Sequence, residues 1–392
     1  MHSERHFPPP GARRTSSSDA PKSCLVVGIV SANSGSGNTL DRIIQSFAES
    51  GYRVDSHVES ELSLASIARC SARIFNSQAS VLYLRFSPYL VPAVLVSRMF
   101  RRRGGERLVV HVPTPVKAGY RERLISLPRA KAVSINSLTR MMYPIACWLA
   151  AVVLQNGEAS PPDARWIRQK TVLAANPTQT NSSTEFALAP TAFRSAPYKI
   201  VGVASNGYYH GYDRIIQGML HLQTTSNSIP LHLTLVGPNS AFLRERQLIE
   251  AHPALRSSLS FLGPLRQSEV DEMLCAVDAA LGLLGCHRIN LASGSPLRHR
   301  TYLLNGTPWV TSLKDVDPAL QDRDWILEVP ADDSAISPAR IVAWLEGLNS
   351  QSVLNSMRSA TAVVLQHSIA GIVDKALNGH PSAGRVRDAP HG

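Results

Sequence analysis

Ser293, Gly294 and Ser295, followed by Pro296 and then by Arg298 and Arg300, form the stretch of this sequence best equipped for chemistry. Small residues let backbone N–H groups come close to an anion. Pro296 has the fixed φ that suits a first helical position, and Ser295 beside it is a good N-cap. A helix opening there aims its free amides and the positive end of its dipole at one point, which is how helices bind phosphate. Arg298 and Arg300 add permanent charge nearby. Asn305-Gly306 supplies a helix stop ahead of the apolar Trp309-Val310. A solvated helix N-terminus with ordinary surface arginines is the alternative that the stretch leaves open.

The elements around it read as strands alternating with helices. In the second half, Lys199 to Ala204, Leu231 to Val236, Leu259 to Leu262 and Ala279 to Leu284 read as short strands. Between them lie helical patterns at Asp213 to Leu222, Ala241 to Ala251 and Ser268 to Ala276, the last capped by Ser268. In the first half, Cys24 to Ser31, Ser80 to Phe86, Arg107 to Val112, Ala132 to Ile135, Ala151 to Gln155 and Thr171 to Ala175 read as strands. Helices are expected over Thr39 to Ser50 and Tyr89 to Phe100. The stretch rich in Pro, Thr, Ser and Asn before Tyr198 is a linker. Strands alternating with helices argue for parallel sheets, so the expected fold is α/β, with two Rossmann-like domains facing a cleft.

The boundaries expected are a tail over 1–22, a first domain over 23–180, a linker over 181–197 and a second domain over 198–352. A C-terminal helix over 353–378 packs back on the first domain, and a tail follows over 379–392. Ligands in such sheets bind beyond the carboxyl ends of the strands. Gly35, Gly37 and Asn38 (after the first strand), His111, Asn206, Gly207, His210, Gly237, His287 and Arg288 all fall at such ends. Position 40 is Leu where a dinucleotide fingerprint has its third glycine, so Gly35 and Gly37 are equally a plain tight turn.

Charge narrows the partners. Residues 1 to 190 hold 23 Lys and Arg against 12 Asp and Glu, whereas residues 191 to 392 hold 17 of each. From Arg98 to Lys131 there are ten basic residues and two acidic ones. Such a stretch attracts polyanions, an anionic membrane surface or a lipid-linked diphosphate among them. Nucleic acid is not expected, because interleaved aromatics and any module signature are missing. The five cysteines show no Cys-x-x-Cys spacing, which fits reduced thiols in a cytoplasmic protein. The longest apolar run, Met141 to Leu154, is interrupted by Pro144 and is shorter than the roughly 20 residues of a spanning helix. Neither the histidines nor the carboxylates have metal-site spacing, so no metal is expected.

Tyr209-His210-Gly211-Tyr212-Asp213-Arg214 is similar to a Trp-His-Gly-Tyr-Asp-Arg motif, and Ser295-Pro296-Leu297-Arg298-His299-Arg300-Thr301-Tyr302-Leu303 to a Ser-Pro-Leu-Lys-x-Arg-Glu-Tyr-Leu motif. Both belong to two-domain GT-B glycosyltransferases of the family 4 kind, in the bacterial polysaccharide-assembly branch. Tyr83-Leu84-Arg85-Phe86 and His111-Val112-Pro113-Thr114-Pro115 are weaker echoes. The resemblance implies a nucleotide-diphosphate sugar as substrate, with no further cofactor, held by the second domain. The acceptor, a saccharide or lipid-linked saccharide, lies on the first, and the sugar moves with retention and without metal. Arg298 stands where the family has a diphosphate-binding lysine, and His210 where relatives place another cation. Asn206, Gly207, Arg214, Gly237, His287, Arg288, Ser293, Ser295, Pro296, Leu297 and Thr301 complete the expected donor side. Gly35, Gly37, Asn38 and His111 are the expected acceptor side.

The sequence also departs from that family. Ser293 and Thr301 occupy the places of its paired glutamates, and a hydroxyl holds a sugar or ribose less strongly than a carboxylate. No catalytic base is identified. A peripheral glycosyltransferase at the inner face of the membrane is the leading expectation. A non-catalytic GT-B-shaped protein that binds a nucleotide sugar or scaffolds an assembly is the alternative. A nucleotide-hexosamine epimerase of similar shape fits less well, because the first domain lacks an acid/base set.

Overall fold

Both faces of the first strand, β1 (Ser23–Ile29), are covered, and this is why its sequence is a continuous apolar run. Leu25 and Val27 pack into one core with Leu82 and Val110, while Cys24 and Val26 pack into another with Leu40 and Phe47. The computed structural model describes residues 22–30, 35–100, 106–178, 197–204, 208–225 and 230–379, with the side chains of 35–38 and 208 outside that description.

After β1 come α1 (Gly35–Glu49), β2 (Arg53–Glu59), α2 (Leu64–Asn76), β3 (Val81–Arg85), α3 (Val91–Phe100) and β4 (Arg107–Val112). Then follow α4 (Val116–Ser126), α5 (Arg129–Leu149), β5 (Val152–Gln155), β6 (Gly157–Ala159), α6 (Arg165–Arg168) and β7 (Thr171–Leu173). The strands form a parallel sheet in the order β2-β1-β3-β4-β5-β7. The expected turn at 33–38 is partly helix, so Gly35, Gly37 and Asn38 lie in the first turn of α1 rather than in a loop before it. The strand expected over Ala132 to Ile135 is also a helix: Ala132, Thr139, Tyr143 and Ala146 recur on the buried side of α5.

The second half contributes β8 (Tyr198–Val203), α7 (Asp213–Thr225), β9 (Leu231–Val236), α8 (Leu243–Ala251), β10 (Leu259–Leu262), α9 (Gln267–Leu274) and β11 (Ala279–Leu281). It continues with β12 (Leu291–Gly294), α10 (Leu297–Leu304), β13 (Trp309–Thr311), β14 (Lys314–Asp315) and β15 (Ile326–Glu328). A parallel sheet in the order β10-β9-β8-β11-β13-β15 results, again covered on both faces. The chain ends in α11 (Pro338–Gly347), α12 (Ser350–Leu365) and α13 (Ile369–Leu377). Arg266, not Ser268, stands at the N-cap of α9, with its backbone N–H donating to Glu269 at 2.7 Å.

The single helix expected over 353–378 is two. Val353, Met357 and Val364 of α12 pack in the second half, whereas Ile369, Ala370 and Val373 of α13 pack against β1 and α1 of the first. A third sheet, β14-β12-β6, ties the halves directly: β6, just after β5, pairs antiparallel with β12.

Candidate active site in the cleft

The carboxyl ends of both sheets open on a cleft of about 590 Å³. Arg85, Pro113, Glu122, Asn156 and Asn176 line it from the first half, and Val203, Tyr209, Gly294, Ser295, Pro296, Leu297 and Arg298 from the second. Its floor is the β6–β12 pairing, extended by the Ser295 N–H, which donates to the Asn156 carbonyl at 2.8 Å.

α10 opens into this cleft, but with Pro296 as its N-cap and Leu297 as its first helical residue. Ser295 does not cap it. The Ser295 hydroxyl accepts from the Asn176 N–H at 2.8 Å, and its carbonyl from the Asn176 side chain, so a residue distant in sequence has claimed both groups. The N–H groups of Leu297 and Arg298 lie in the first turn, where no helix carbonyl precedes them. Arg298 donates through Nη1 to Tyr212 Oη at 2.9 Å and to His210 Nδ1 at 3.0 Å. Among the described residues no carboxylate pairs with it.

An arginine is a donor at neutral pH, so His210 accepts through an unprotonated Nδ1 and is a neutral imidazole. His210 therefore orients Arg298 and adds no second cation. It is placed by Gly211, at φ 71°, whose absent side chain lets the chain pass within contact distance of Leu284 and Gly285. The Leu284 N–H donates to the His210 carbonyl at 2.8 Å and the Gly285 N–H to the Tyr209 carbonyl at 3.1 Å.

The other expected donor residues have different partners. Arg214 is fully buried and donates to the carbonyls of Leu284, Ser334 and Pro330, so it is a brace. Arg288 forms a fork on Asp213 at 2.8 and 2.9 Å and reaches Asp333 at 2.7 Å, leaving no grip for a phosphate. His287 lies 3.2 Å from Asp333, away from the cleft lining. The Ser293 hydroxyl points to Glu158 at 3.4 Å, and that of Thr301 back to the Leu297 carbonyl at 3.3 Å. Neither lines the cleft. Gly237, at φ 146°, is explained by backbone: a Cβ there would stand 2.0 Å from the Ala204 carbonyl oxygen. Arg300 is buried on Asp315 at 2.6 and 3.0 Å. Asn206 and Gly207 lie outside the described residues.

On the acceptor side, His111 is buried at the end of β4, with Nε2 2.6 Å from Asn156 Oδ1. Gly35, Gly37 and Asn38 begin α1, whose next residue, Thr39, lines the cleft. Two charged residues of the cleft lining lay outside the expected donor and acceptor sets. Glu122 accepts from the Tyr209 hydroxyl at 3.3 Å, and burial lifts its carboxyl above the usual carboxylate range. Arg85 is the other, and its sequence signals are a charge ending an apolar strand and its place in the Tyr83-Leu84-Arg85-Phe86 echo. Among the described residues no cluster of three His, Cys, Asp or Glu side chains is placed to hold a metal ion.

No family model and no curated protein matches the sequence. Solved structures do match. A glycosyltransferase from Rickettsia africae ESF-5 is similar over 92% of this chain and 97% of its own, at 10% identity and a TM-score of 0.57. The catalytic domain of starch synthase IV from Arabidopsis thaliana, bound to ADP and acarbose, is similar over 92% of this chain and 99% of its own, at 8% and 0.58. An alpha-glucosyltransferase in complex with UDP-glucose and DNA containing an abasic site is similar over 92% and 98%, at 10% and 0.55. At such identities the likeness shows the fold, and that fold is the GT-B arrangement of two Rossmann-like domains facing a cleft.

Proposed function

We propose that this chain is a glycosyltransferase that moves a sugar from a nucleotide-diphosphate donor to a saccharide or lipid-linked saccharide in polysaccharide assembly. One observation carries this: Arg298 faces the cleft at the opening of α10, steered by His210 and Tyr212 and paired with no carboxylate among the described residues. A guanidinium beside first-turn amides suits a diphosphate, and it stabilises the charge that builds on a departing nucleoside diphosphate. Fold neighbours that carry UDP-glucose or ADP support the reading. Retention, independence of metal and the family 4 branch rest on the motif resemblance. A cytoplasmic position at the inner face of a membrane is part of the same proposal, with the basic stretch Arg98 to Lys131 as the docking face. No helix among the described residues is long and apolar enough to cross a membrane.

A second reading has its own observation. Ser293 and Thr301, at the places of the family's glutamates, direct their hydroxyls to Glu158 and to the Leu297 carbonyl, which favours a protein that binds a nucleotide sugar without turning it over. A thermal-shift series with nucleoside diphosphates tests the shared part. A ligand at a hundred times its Kd stabilises by roughly 2.7 kcal/mol, and Arg298→Ala should abolish that shift. Binding without turnover across donor and acceptor panels selects the second reading. No shift with any nucleoside diphosphate sinks both.

A further inference from the structure

Arg85 ends β3 at its carboxyl end and lines the cleft from the first half, across from Arg298. Its stem lies against Gly28 of β1, where a Cβ would stand 3.2 Å from Arg85 Cβ and 3.6 Å from Cδ. The residue is 9% exposed, its Nη1 is buried without a hydrogen-bond partner, and no carboxylate pairs with it among the described residues. Arg85 is aligned with His111 on the neighbouring parallel strand.

His111 is fixed from behind. Asn156 Nδ2 donates to the Ala174 carbonyl at 2.7 Å, so Asn156 Oδ1 is the atom facing His111 and Nε2 carries the proton. His111 Nδ1 is then a buried acceptor without a partner, and the buried Tyr83 hydroxyl, on the same strand face as Arg85, also has none. Burial, with the Arg85 charge adding to it, holds the His111 imidazole down to about 3. A neutral imidazole offers Arg85 no counter-charge.

A desolvated guanidinium without an anion is a standing cost to the fold, and such groups concentrate where a ligand brings the missing charge. Arg214 shows the structural solution in the same chain, with its donors closed on carbonyls. Arg85 lacks that closure and faces open volume. We infer that Arg85 is an anion-binding residue on the acceptor side, so that the acceptor carries an oxyanion, a uronic-acid carboxylate or a phosphate, which meets the Arg85 guanidinium in the cleft. Assigning the anion to the acceptor rests on the reading above, in which Arg298 takes the donor diphosphate.

The test uses the full chain as wild type, Arg85→Met and Arg298→Ala. Methyl glucuronoside, its neutral counterpart methyl glucoside, inorganic phosphate and a panel of nucleoside diphosphates are titrated by calorimetry. Expected is binding of methyl glucuronoside or of inorganic phosphate, whichever of the two sources applies, weakened roughly tenfold or more by Arg85→Met and kept in Arg298→Ala. Methyl glucoside binds more weakly than its acid, and Arg85→Met keeps the nucleoside diphosphate affinity. Its melting temperature equals or exceeds that of wild type, because an unpaired buried charge has gone. A lower melting temperature makes Arg85 structural and overturns the proposal, as does failure of both anions to bind wild type. Loss of nucleoside diphosphate binding in Arg85→Met assigns the residue to the donor and overturns the acceptor assignment. If no nucleoside diphosphate binds wild type while an Arg85-dependent anion does, the donor reading falls and the anion site stands.

Discussion

A Cβ added to Gly157 would stand 2.3 Å from the carbonyl oxygen of Ser293, so β6 and β12 meet backbone to backbone where the two halves join. The Ser295 N–H to the Asn156 carbonyl and the Ser160 N–H to the Asn290 carbonyl, each at 2.8 Å, hold the pairing at both ends. Because the neighbouring atoms are backbone, Gly157→Ala must push the strands apart. Overpacking of this kind costs about 1–3 kcal/mol. Gly263→Ala is the control, since nothing lies within 4 Å of that site. Calorimetric melting should fall for the first variant and stay put for the second, with faster amide exchange in β6 and β12. Equal melting temperatures would remove the clasp from the account of how the cleft is held.

Arg288 and Arg298 are ten residues apart and chemically alike, yet their surroundings assign them opposite work. Asp213 is fully buried under the Arg288 fork, with a further contact from Arg244 at 3.1 Å. Removing one member of a buried pair strands the other and costs roughly 3–5 kcal/mol. Arg288→Ala should therefore lower the denaturant midpoint strongly, while the fraction that remains folded still binds nucleoside diphosphate with wild-type affinity. Arg298→Ala should do the reverse. Swapped outcomes in paired denaturation and binding curves would reverse the assignments.

What the sequence could reveal follows from which forces are local. β1, β3 and β4 are legible because burial on both faces makes each a nearly continuous apolar run. β2 is an edge strand with alternating half-exposed residues and a polar composition, so no run announces it. Ala132 to Ile135 alone reads as a strand, and only the recurrence of buried positions at Ala132, Thr139, Tyr143 and Ala146 marks it as the start of a longer helical face. The helix at Pro296 and the position of Arg298 were legible from spacing. The cap was not, because Asn176 takes the Ser295 hydroxyl from 119 residues away. Arg214 and Arg288 look like ligand residues from sequence, and only the carbonyls and carboxylates that close on them show otherwise. Arg85 is the converse case, since what marks it is a partner that does not come.

Acid should loosen the second half around Asp315. Burial alone would raise this carboxyl, but the Arg300 guanidinium at 2.6 Å and His299 at 3.1 Å reverse that and lower it to about 2. A carboxylate near 4 in the unfolded chain then takes up its proton before the folded one does. The stabilisation is complete above about pH 4 and is lost as pH falls from there through the folded value near 2. Asp315→Asn should cost about 3 kcal/mol at pH 7, the low end for a broken buried pair because Arg300 keeps its 3.4 Å contact with the buried Asp317, and should flatten the stability profile across that window. Urea unfolding at stepped pH checks both. A variant as acid-sensitive as wild type would place the acid transition elsewhere.

Part of the basic stretch of the first half is tied into the fold. Arg98 donates to the Leu149 carbonyl at 2.9 Å, Arg107 to that of Leu377 at 2.6 Å, Lys117 to that of Pro162 at 2.6 Å, and Arg123 to Asn136 at 2.7 Å. Arg101, Arg102 and Arg103 lie outside the described residues; among the described ones Arg121, Arg129 and Lys131 are exposed, as is Arg107, which is tied to the Leu377 carbonyl. Met99, Phe100, Leu124 and Ile125 are exposed in the same stretch, so apolar and cationic groups are offered together. Each cation near an anionic bilayer contributes about 1 kcal/mol, roughly a fivefold change in binding. Reversing Arg121, Arg129 and Lys131 to glutamate should cut cosedimentation with phosphatidylserine vesicles by about a hundredfold or more on that scale, without lowering the melting temperature. Raising salt should weaken wild-type binding in the same direction, since these charges are screened beyond about 8 Å at physiological ionic strength. Wild-type protein that ignores anionic vesicles even at low salt would confine the acceptor to soluble saccharides and remove the membrane from the proposal.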